Sequence, residues 1–368
     1  MKLVIVSGAR PQFIKLAPII HALEQEQINL VHIHTGQHYD TNMSSLIFED
    51  LEIPNTDYNL NIGSGTHGYQ TGEMVKGIEK ILMEEQPTYV LVPGDTNSTL
   101  AGALASVKLH IPVIHLEAGL RSHNWKMPEE INRILVDRVS SMLVTSTEEG
   151  RNNLLREGVN EEWIYLTGDT MVDALEFAMK KANRLGINPP FEKEKYFLAT
   201  MHRAENVDTK ENLELILRVL RDAPLPVVFP IHPRTKNNFK KFGMLEQLEN
   251  EKNVHLMEPQ GYLNFVNLLS NAKALLTDSG GLQKEAFIAG IPAITLRTTT
   301  EWVESIEMGA NRLCGLRVDC ILSALQDVLD GKFKVDKPHP YGDGNASKKI
   351  VKEIVNRHLN GKIVFPTK

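Results

Sequence analysis

Leu275-Leu276-Thr277-Asp278-Ser279-Gly280-Gly281-Leu282-Gln283-Lys284-Glu285-Ala286 passes from an apolar strand into a helical pattern across an Asp-Ser-Gly-Gly junction. A strand that feeds straight into a helix is the repeating unit of a parallel α/β sheet, so this stretch decides the fold. It also suggests chemistry. The first turn of a helix carries unpaired N–H donors and a partial positive charge. Gly280 and Gly281 let an anion approach the backbone closely. Glu285 lies about one helical turn inside, within reach of a ligand's hydroxyls. The plainer reading is an ordinary turn capped by Ser279.

The same alternation extends outward in both directions. Apolar runs predict strands over 3–7, 30–34, 89–92, 113–116, 142–145 and 163–166, then 196–200, 227–231, 254–257, 274–277 and 293–296. Amphipathic stretches predict helices between them, among them 14–24, 71–85, 98–109, 129–140, 171–185, 210–220 and 262–269. Gly186-Ile187-Asn188-Pro189-Pro190 is the best linker. Two alternating units imply two Rossmann-like parallel-sheet domains, with ligand held at strand C-termini in a cleft between them. The expected division is an N-terminal domain over 1–170, a connecting helix and linker over 171–190, a C-terminal domain over 191–347, and a final helix over 348–368 that returns to the first domain.

The bulk properties agree with a globular enzyme. Of 368 residues, 42% are hydrophobic and 23% charged, and the formal net charge is −6. That balance disfavours nucleic acid or an anionic membrane as partner. The opening residues have too short an apolar run for a signal peptide and no stretch suggests a membrane span, so the expected location is cytoplasmic. The two cysteines, Cys314 and Cys320, stand six apart without a second pair, which suggests neither a zinc site nor a disulfide framework. Gly63-Ser64-Gly65-Thr66-His67-Gly68 matches a dinucleotide fingerprint. It follows no convincing strand and no acid closes a following one, so a loop feeding a helix at Thr71 is the better reading.

Polar residues cluster where strands end. Arg10 and Lys15 flank a helix start and suit an anion. Asp95, Glu117 and Glu129 lie at or near the same rim, where three carboxylates repel one another and provide for proton removal and delivery. A metal site is the competing reading, but no His stands at ligand spacing. Glu130 suits a capping or salt-bridging role. In the second half, His202-Arg203 and His232-Pro233-Arg234 sit at successive strand ends facing the rim of Ser279. Phe265 is a core residue that also suits flanking a planar base.

Together the strings 8–15, 94–98, 117–121, 128–133, 202–208 and 277–286 resemble the non-hydrolysing UDP-N-acetylglucosamine 2-epimerases, collinearly over nearly the whole chain. The resemblance implies a GT-B fold, a homodimer, and no metal or nicotinamide cofactor. It implies removal of the sugar C2 proton, expulsion of UDP to leave a 2-acetamidoglucal, and re-addition with the proton on the opposite face. Carried over by position, Asp95, Glu117, Glu129 and His202 are catalytic. Arg10, Lys15, Ser279, Gly280, Gly281 and Glu285 contact UDP, and Phe265 lies beside the uracil. Gln37 and His232 fall near a second, regulatory sugar-nucleotide site. A GT-B glycosyltransferase is the alternative class.

Four departures from the family pattern bear on the substrate. Gln12 and Lys284 stand where glutamates are usual, and Trp302 stands where an arginine is usual. Arg234 is an added cation. These variants resemble the branch acting on UDP-2,3-diacetamido-2,3-dideoxy-glucuronate. A less anionic site favours a carboxylated sugar, while Trp302 removes one cation. The expected substrate is the uronate, with UDP-N-acetylglucosamine as the alternative.

Overall fold

The computed structural model describes residues 1–36, 47–335 and 340–364. The chain divides into two compact units, Met1–Phe177 with Pro340–Lys368, and Ala178–His339. The division cuts the helix Thr170–Arg184, so the Gly186–Pro190 segment belongs to the second unit. The return to the first unit begins at Pro340 rather than at 348.

The first unit holds a sheet of seven parallel strands: β1 (Lys2–Ser7), β2 (Asn29–His34), β3 (Tyr58–Asn59), β4 (Tyr89–Pro93), β5 (Val113–Leu116), β6 (Met142–Thr145) and β7 (Ile164–Leu166). Their order is β3-β2-β1-β4-β5-β6-β7. The second unit holds β8 (Phe197–Thr200), β9 (Val227–Pro230), β10 (Val254–Met257), β11 (Ala274–Thr277), β12 (Ala293–Thr295) and β13 (Asn311–Leu313), ordered β10-β9-β8-β11-β12-β13. Each order runs outward from a central strand and then reverses. Open α/β sheets bind ligands at that reversal, outside the strand C-termini. It falls between β1 and β4 in the first unit and between β8 and β11 in the second. Lys15, Asp95, His202 and Ser279 all lie just beyond these four strands.

The central strands of both sheets are buried on both faces, as parallel sheets require. Along β8, Phe197 and Ala199 join one apolar cluster while Leu198 joins the other. On β11, Ala274 and Leu276 face the first cluster and Leu275 the second. Full burial of a side chain such as Phe197 contributes about 1.5–3 kcal/mol. The short strands β3 and β13 were not expected, because two or three residues of mixed polarity carry too little periodicity.

The final helix, Ala346–Leu359, packs against the helix Arg10–Gln25. Its own N-cap, Asn345, makes no side-chain cap. Asp173 performs that task, its carboxylate accepting from the N–H groups of Ala346 at 3.2 Å and Ser347 at 2.9 Å, and from the Ser347 hydroxyl. The helix expected from Thr71 begins earlier, at His67, where Thr66 caps it.

The two cysteines are a correction. Cys314 and Cys320 are joined, with Cα atoms 5.6 Å apart. The turn between β13 and the helix Val318–Leu329 folds back through Gly315 at φ 58°, which brings the two side chains together.

Candidate active site

In the first unit the site grows from the ends of β1, β4 and β5. β1 runs through Gly8 and Ala9 into the helix Arg10–Gln25. Gln12 holds this junction. Its Oε1 accepts from the N–H groups of Gly8 at 2.8 Å and Ala9 at 3.0 Å. Its Nε2 donates to the Pro93 carbonyl at 2.8 Å and to the hydroxyls of Thr96 and Thr99. A carboxylate could not donate to that carbonyl. Gln12 is thus engaged with the backbone, which corrects its reading as a residue tuning the site toward a carboxylated sugar.

Lys15, one turn further, reaches Glu117. Its ammonium lies 2.7 and 2.6 Å from the two carboxylate oxygens. Burial would lower the Lys15 pKa, but Glu117, with Asp169 and Asp95 beyond it, outweighs burial and raises it. Lys15 stays charged. Glu117 has φ 62°, a left-handed conformation that costs a side-chain-bearing residue about 1–2 kcal/mol. Such strain is retained where the surroundings over-determine it, commonly at functional sites.

Asp95 follows Gly94 (φ 66°). Its Oδ2 accepts from Arg133 Nε at 3.0 Å and Nη2 at 2.6 Å. Asn132 donates to its backbone carbonyl at 2.9 Å. Arg133 also reaches Glu130 at 2.7 Å. Glu130 is buried and accepts from the N–H groups of Ser122 and His123. Burial would raise the Glu130 pKa, but the Ser122 N–H and Arg133 overcome it and lower it. Glu129 opens the same helix, Pro128–Val139, and is half-buried. Among the described residues, no hydrogen bond or ion pair ties down its carboxylate. The mutual repulsion expected of three carboxylates is therefore answered by two cations, one each for Glu117 and Asp95.

In the second unit the site grows from the ends of β8 and β11. Asp278 is fully buried. It accepts from the backbone N–H of His202 at 3.0 Å and of Arg203 at 2.9 Å, and from Asn206 at 3.1 Å. His202 Nδ1 stands 3.3 Å from its Oδ1. Asp278 thus ties the loop after β8 to the loop after β11. The His202 and His232 rings lie 5.1 Å apart between centroids. His232 caps the helix Pro233–Lys241, accepting from the Arg234 N–H at 3.1 Å. Arg234 itself forms a two-point pair with Asp208, at 2.8 and 2.5 Å. Its charge is spoken for at an exposed position.

Ser279 precedes the helix Gly280–Ala289 and makes no side-chain cap. The plain capping reading of Ser279 fails, and its hydroxyl does not cover the first-turn donors. At Gly281 a Cβ would meet nothing within 4 Å. At Gly280 it would meet Glu301 Oε2 at 3.2 Å. Glu301 pairs with Arg297 at 2.8 and 2.9 Å, and Arg297 lowers its pKa. Trp302 Nε1 donates to the Gly280 carbonyl at 2.7 Å. The Lys284 ammonium lies 4.5 Å from the Trp302 ring centroid. Lys284 and Glu285 are both buried. Two of the departures noted in the sequence, Lys284 and Trp302, are therefore one contact. Phe265 is part-buried against the cluster of Tyr196 and Leu275. Arg10 is the first residue of its helix and part-exposed. Gln37 lies outside the described residues.

The sequence alone gave no role to Arg133, Arg297 or Glu301. The i,i+3 spacing of Glu130 and Arg133 was the available signal for one of them.

The chain matches the family described as UDP-N-acetylglucosamine 2-epimerase over residues 21–355. It is 48% identical over 361 residues to the UDP-N-acetylglucosamine 2-epimerase of Methanocaldococcus jannaschii, spanning 96% of this chain and 98% of that one. It is 46% identical over 361 residues to the UDP-2,3-diacetamido-2,3-dideoxy-D-glucuronate 2-epimerase of Pseudomonas aeruginosa, spanning 96% and 99%. Among solved structures it resembles the M. jannaschii UDP-GlcNAc 2-epimerase in complex with UDP-GlcNAc and UDP. That match has a TM-score of 0.84 and 47% identity, and covers 97% of this chain and 100% of the other. The two Rossmann-like parallel-sheet units are those of a GT-B fold.

Proposed function

This chain belongs to the UDP-N-acetylglucosamine 2-epimerase family, and on that premise we propose that it is an isomerase inverting C2 of a UDP-2-acetamido sugar without hydrolysis. The observation that carries the reading is the charge pattern of the first unit, where two carboxylates, Glu117 and Asp95, are each paired with a cation, Lys15 and Arg133, beside a third, Glu129, that is not tied down. One carboxylate removes the C2 proton. Loss of UDP from C1 then leaves a 2-acetamidoglucal. Re-addition of UDP, with a proton delivered to the other face of C2, gives the epimer, so a base and an acid are required on opposite faces.

The leaving diphosphate is assigned to the first turn of the helix Gly280–Ala289, whose free N–H groups stabilise developing negative charge. His202 acts on the departing group, and Glu285 holds the ribose. Lys15 serves Glu117 in this scheme, holding its carboxylate at two points.

The substrate we assign is UDP-2,3-diacetamido-2,3-dideoxy-glucuronate, giving the manno epimer. It is supported by the buried cation Lys284 near the diphosphate turn and by the likeness to the P. aeruginosa enzyme. The likeness to the M. jannaschii enzyme supports the second reading, UDP-N-acetylglucosamine. Each sugar nucleotide, incubated with the enzyme in D2O and followed by NMR, gives deuterium at C2 if it is turned over. The uronate is expected to exchange faster. Faster exchange of UDP-N-acetylglucosamine reverses the assignment, and exchange of neither removes the epimerase reading. Sugar transfer to an acceptor without C2 exchange would mark a glycosyltransferase.

A further inference from the structure

One buried ion pair in the first unit has no part in the scheme above. His115 lies on β5 with no exposed surface. Its Nε2 is 2.8 Å from the Gly94 carbonyl, and its Nδ1 is 2.7 Å from Asp137 Oδ1. Both partners are acceptors. The two contacts hold the ring at both nitrogens, between the Gly94 carbonyl and the Asp137 carboxylate. Asp137 is likewise buried. Its other oxygen accepts from the Gly119 N–H at 3.1 Å and lies 2.8 Å from Arg121 Nη2. Arg121 spends its remaining donors on Glu157 and the Leu120 carbonyl.

The groups held by this pair are the neighbours of the reacting carboxylates. Gly94 precedes Asp95, Gly119 follows Glu117 by two residues, and Asp137 shares its helix with Glu129 and Arg133. Gly94 and Glu117 both have positive φ, at 66° and 62°, and the Gly94 N–H bonds the Leu116 carbonyl at 3.0 Å. Backbone in that region must be held by its surroundings.

We propose that His115 and Asp137 are positioning residues, a buried histidine–carboxylate pair that aligns Asp95, Glu117 and Glu129 on one substrate. This rests on the epimerase reading and extends it. The pair touches no reacting atom. It fixes three segments at once, and an error of about 1 Å in such a constellation costs on the order of 100-fold in rate.

The test compares His115→Gln, which keeps a single amide group, with wild type. UDP titration counts competent sites, and C2 exchange in D2O gives the rate per site. Positioning predicts a fall of up to about 100-fold per titrated site, with UDP affinity unchanged. A merely structural role predicts fewer competent sites and a wild-type rate at each, which overturns the proposal. Asp137→Asn carries the same comparison if His115→Gln does not fold. If wild-type enzyme exchanges no C2 proton, the epimerase reading falls, yet the crystal structure of His115→Gln still decides this point. Displaced Asp95 and Glu117 carboxylates support positioning, and carboxylates left in place refute it.

Discussion

Lys15 and Glu117, 102 residues apart, form a single two-point ion pair, with Nζ at 2.7 and 2.6 Å from the two carboxylate oxygens. The sequence had divided them, giving Lys15 to the nucleotide and Glu117 to proton transfer. Their pairing predicts how Lys15→Met fails. Turnover should fall by about 100-fold or more, the range of a disabled acid–base group, while UDP affinity changes little. Steady-state kinetics beside calorimetric titration with UDP checks this. A weakened UDP complex with normal turnover would return Lys15 to the nucleotide.

Trp302 supports the Gly280 turn through one hydrogen bond and one ring face. Trp302→Leu removes both the bond to the Gly280 carbonyl and the surface beneath Lys284. Such contacts contribute about 0.5–1.5 kcal/mol each. Loss of both should lower UDP affinity roughly 5- to 160-fold. Trp302→Phe keeps a ring and should fall between. Equal affinity in all three proteins would show that the turn holds its shape unaided.

Much of the frame was legible beforehand because strands of a parallel sheet are written as short, mostly apolar runs. β5, β6, β10 and β11 fall on the residues expected. The carboxylate positions were legible because they follow strand ends. Their partners were not. Arg133 sits on a helix whose spacing shows only that it is near Glu130, and nothing local shows that it reaches back to Asp95. Gln12 and Arg234 were misjudged for one reason. Their side chains had visible charge consequences, while their acceptors, the Pro93 carbonyl and Asp208, are 81 and 26 residues away.

His32 gives a pH signature. Burial, with His34 nearby, pushes its pKa down to about 3 from the ordinary 6.5. The unfolded chain takes up a proton below about 6.5 and the folded chain does not until about 3. Stability from the neutral ring is therefore complete above that upper value and lost as pH falls through the window. The slope is about 1.4 kcal/mol per pH unit. Urea unfolding of wild type and His32→Asn should show a stability difference that shrinks from pH 7 to pH 5. A difference independent of pH would mean that the ring is charged or hydrated in the fold.

Asp173→Ala should destabilise the protein by about 1 kcal/mol, the typical worth of a helix cap, with Asp173→Asn milder because it keeps an acceptor. Chemical denaturation of each variant measures this. Identical midpoints for Ala and Asn would show that the cap contributes nothing.

The same Asp173 contact sets an order of events during synthesis. The second unit is one continuous stretch, Ala178–His339, and every residue it needs has been made before Pro340. The first unit is interrupted. Its sheet is translated early, but the helix that lies on Arg10–Gln25 and is capped by Asp173 comes last. Domains fold as units while the chain emerges at about 5–20 residues per second. The half made first must wait, its face along that helix uncovered, until the half made second is complete.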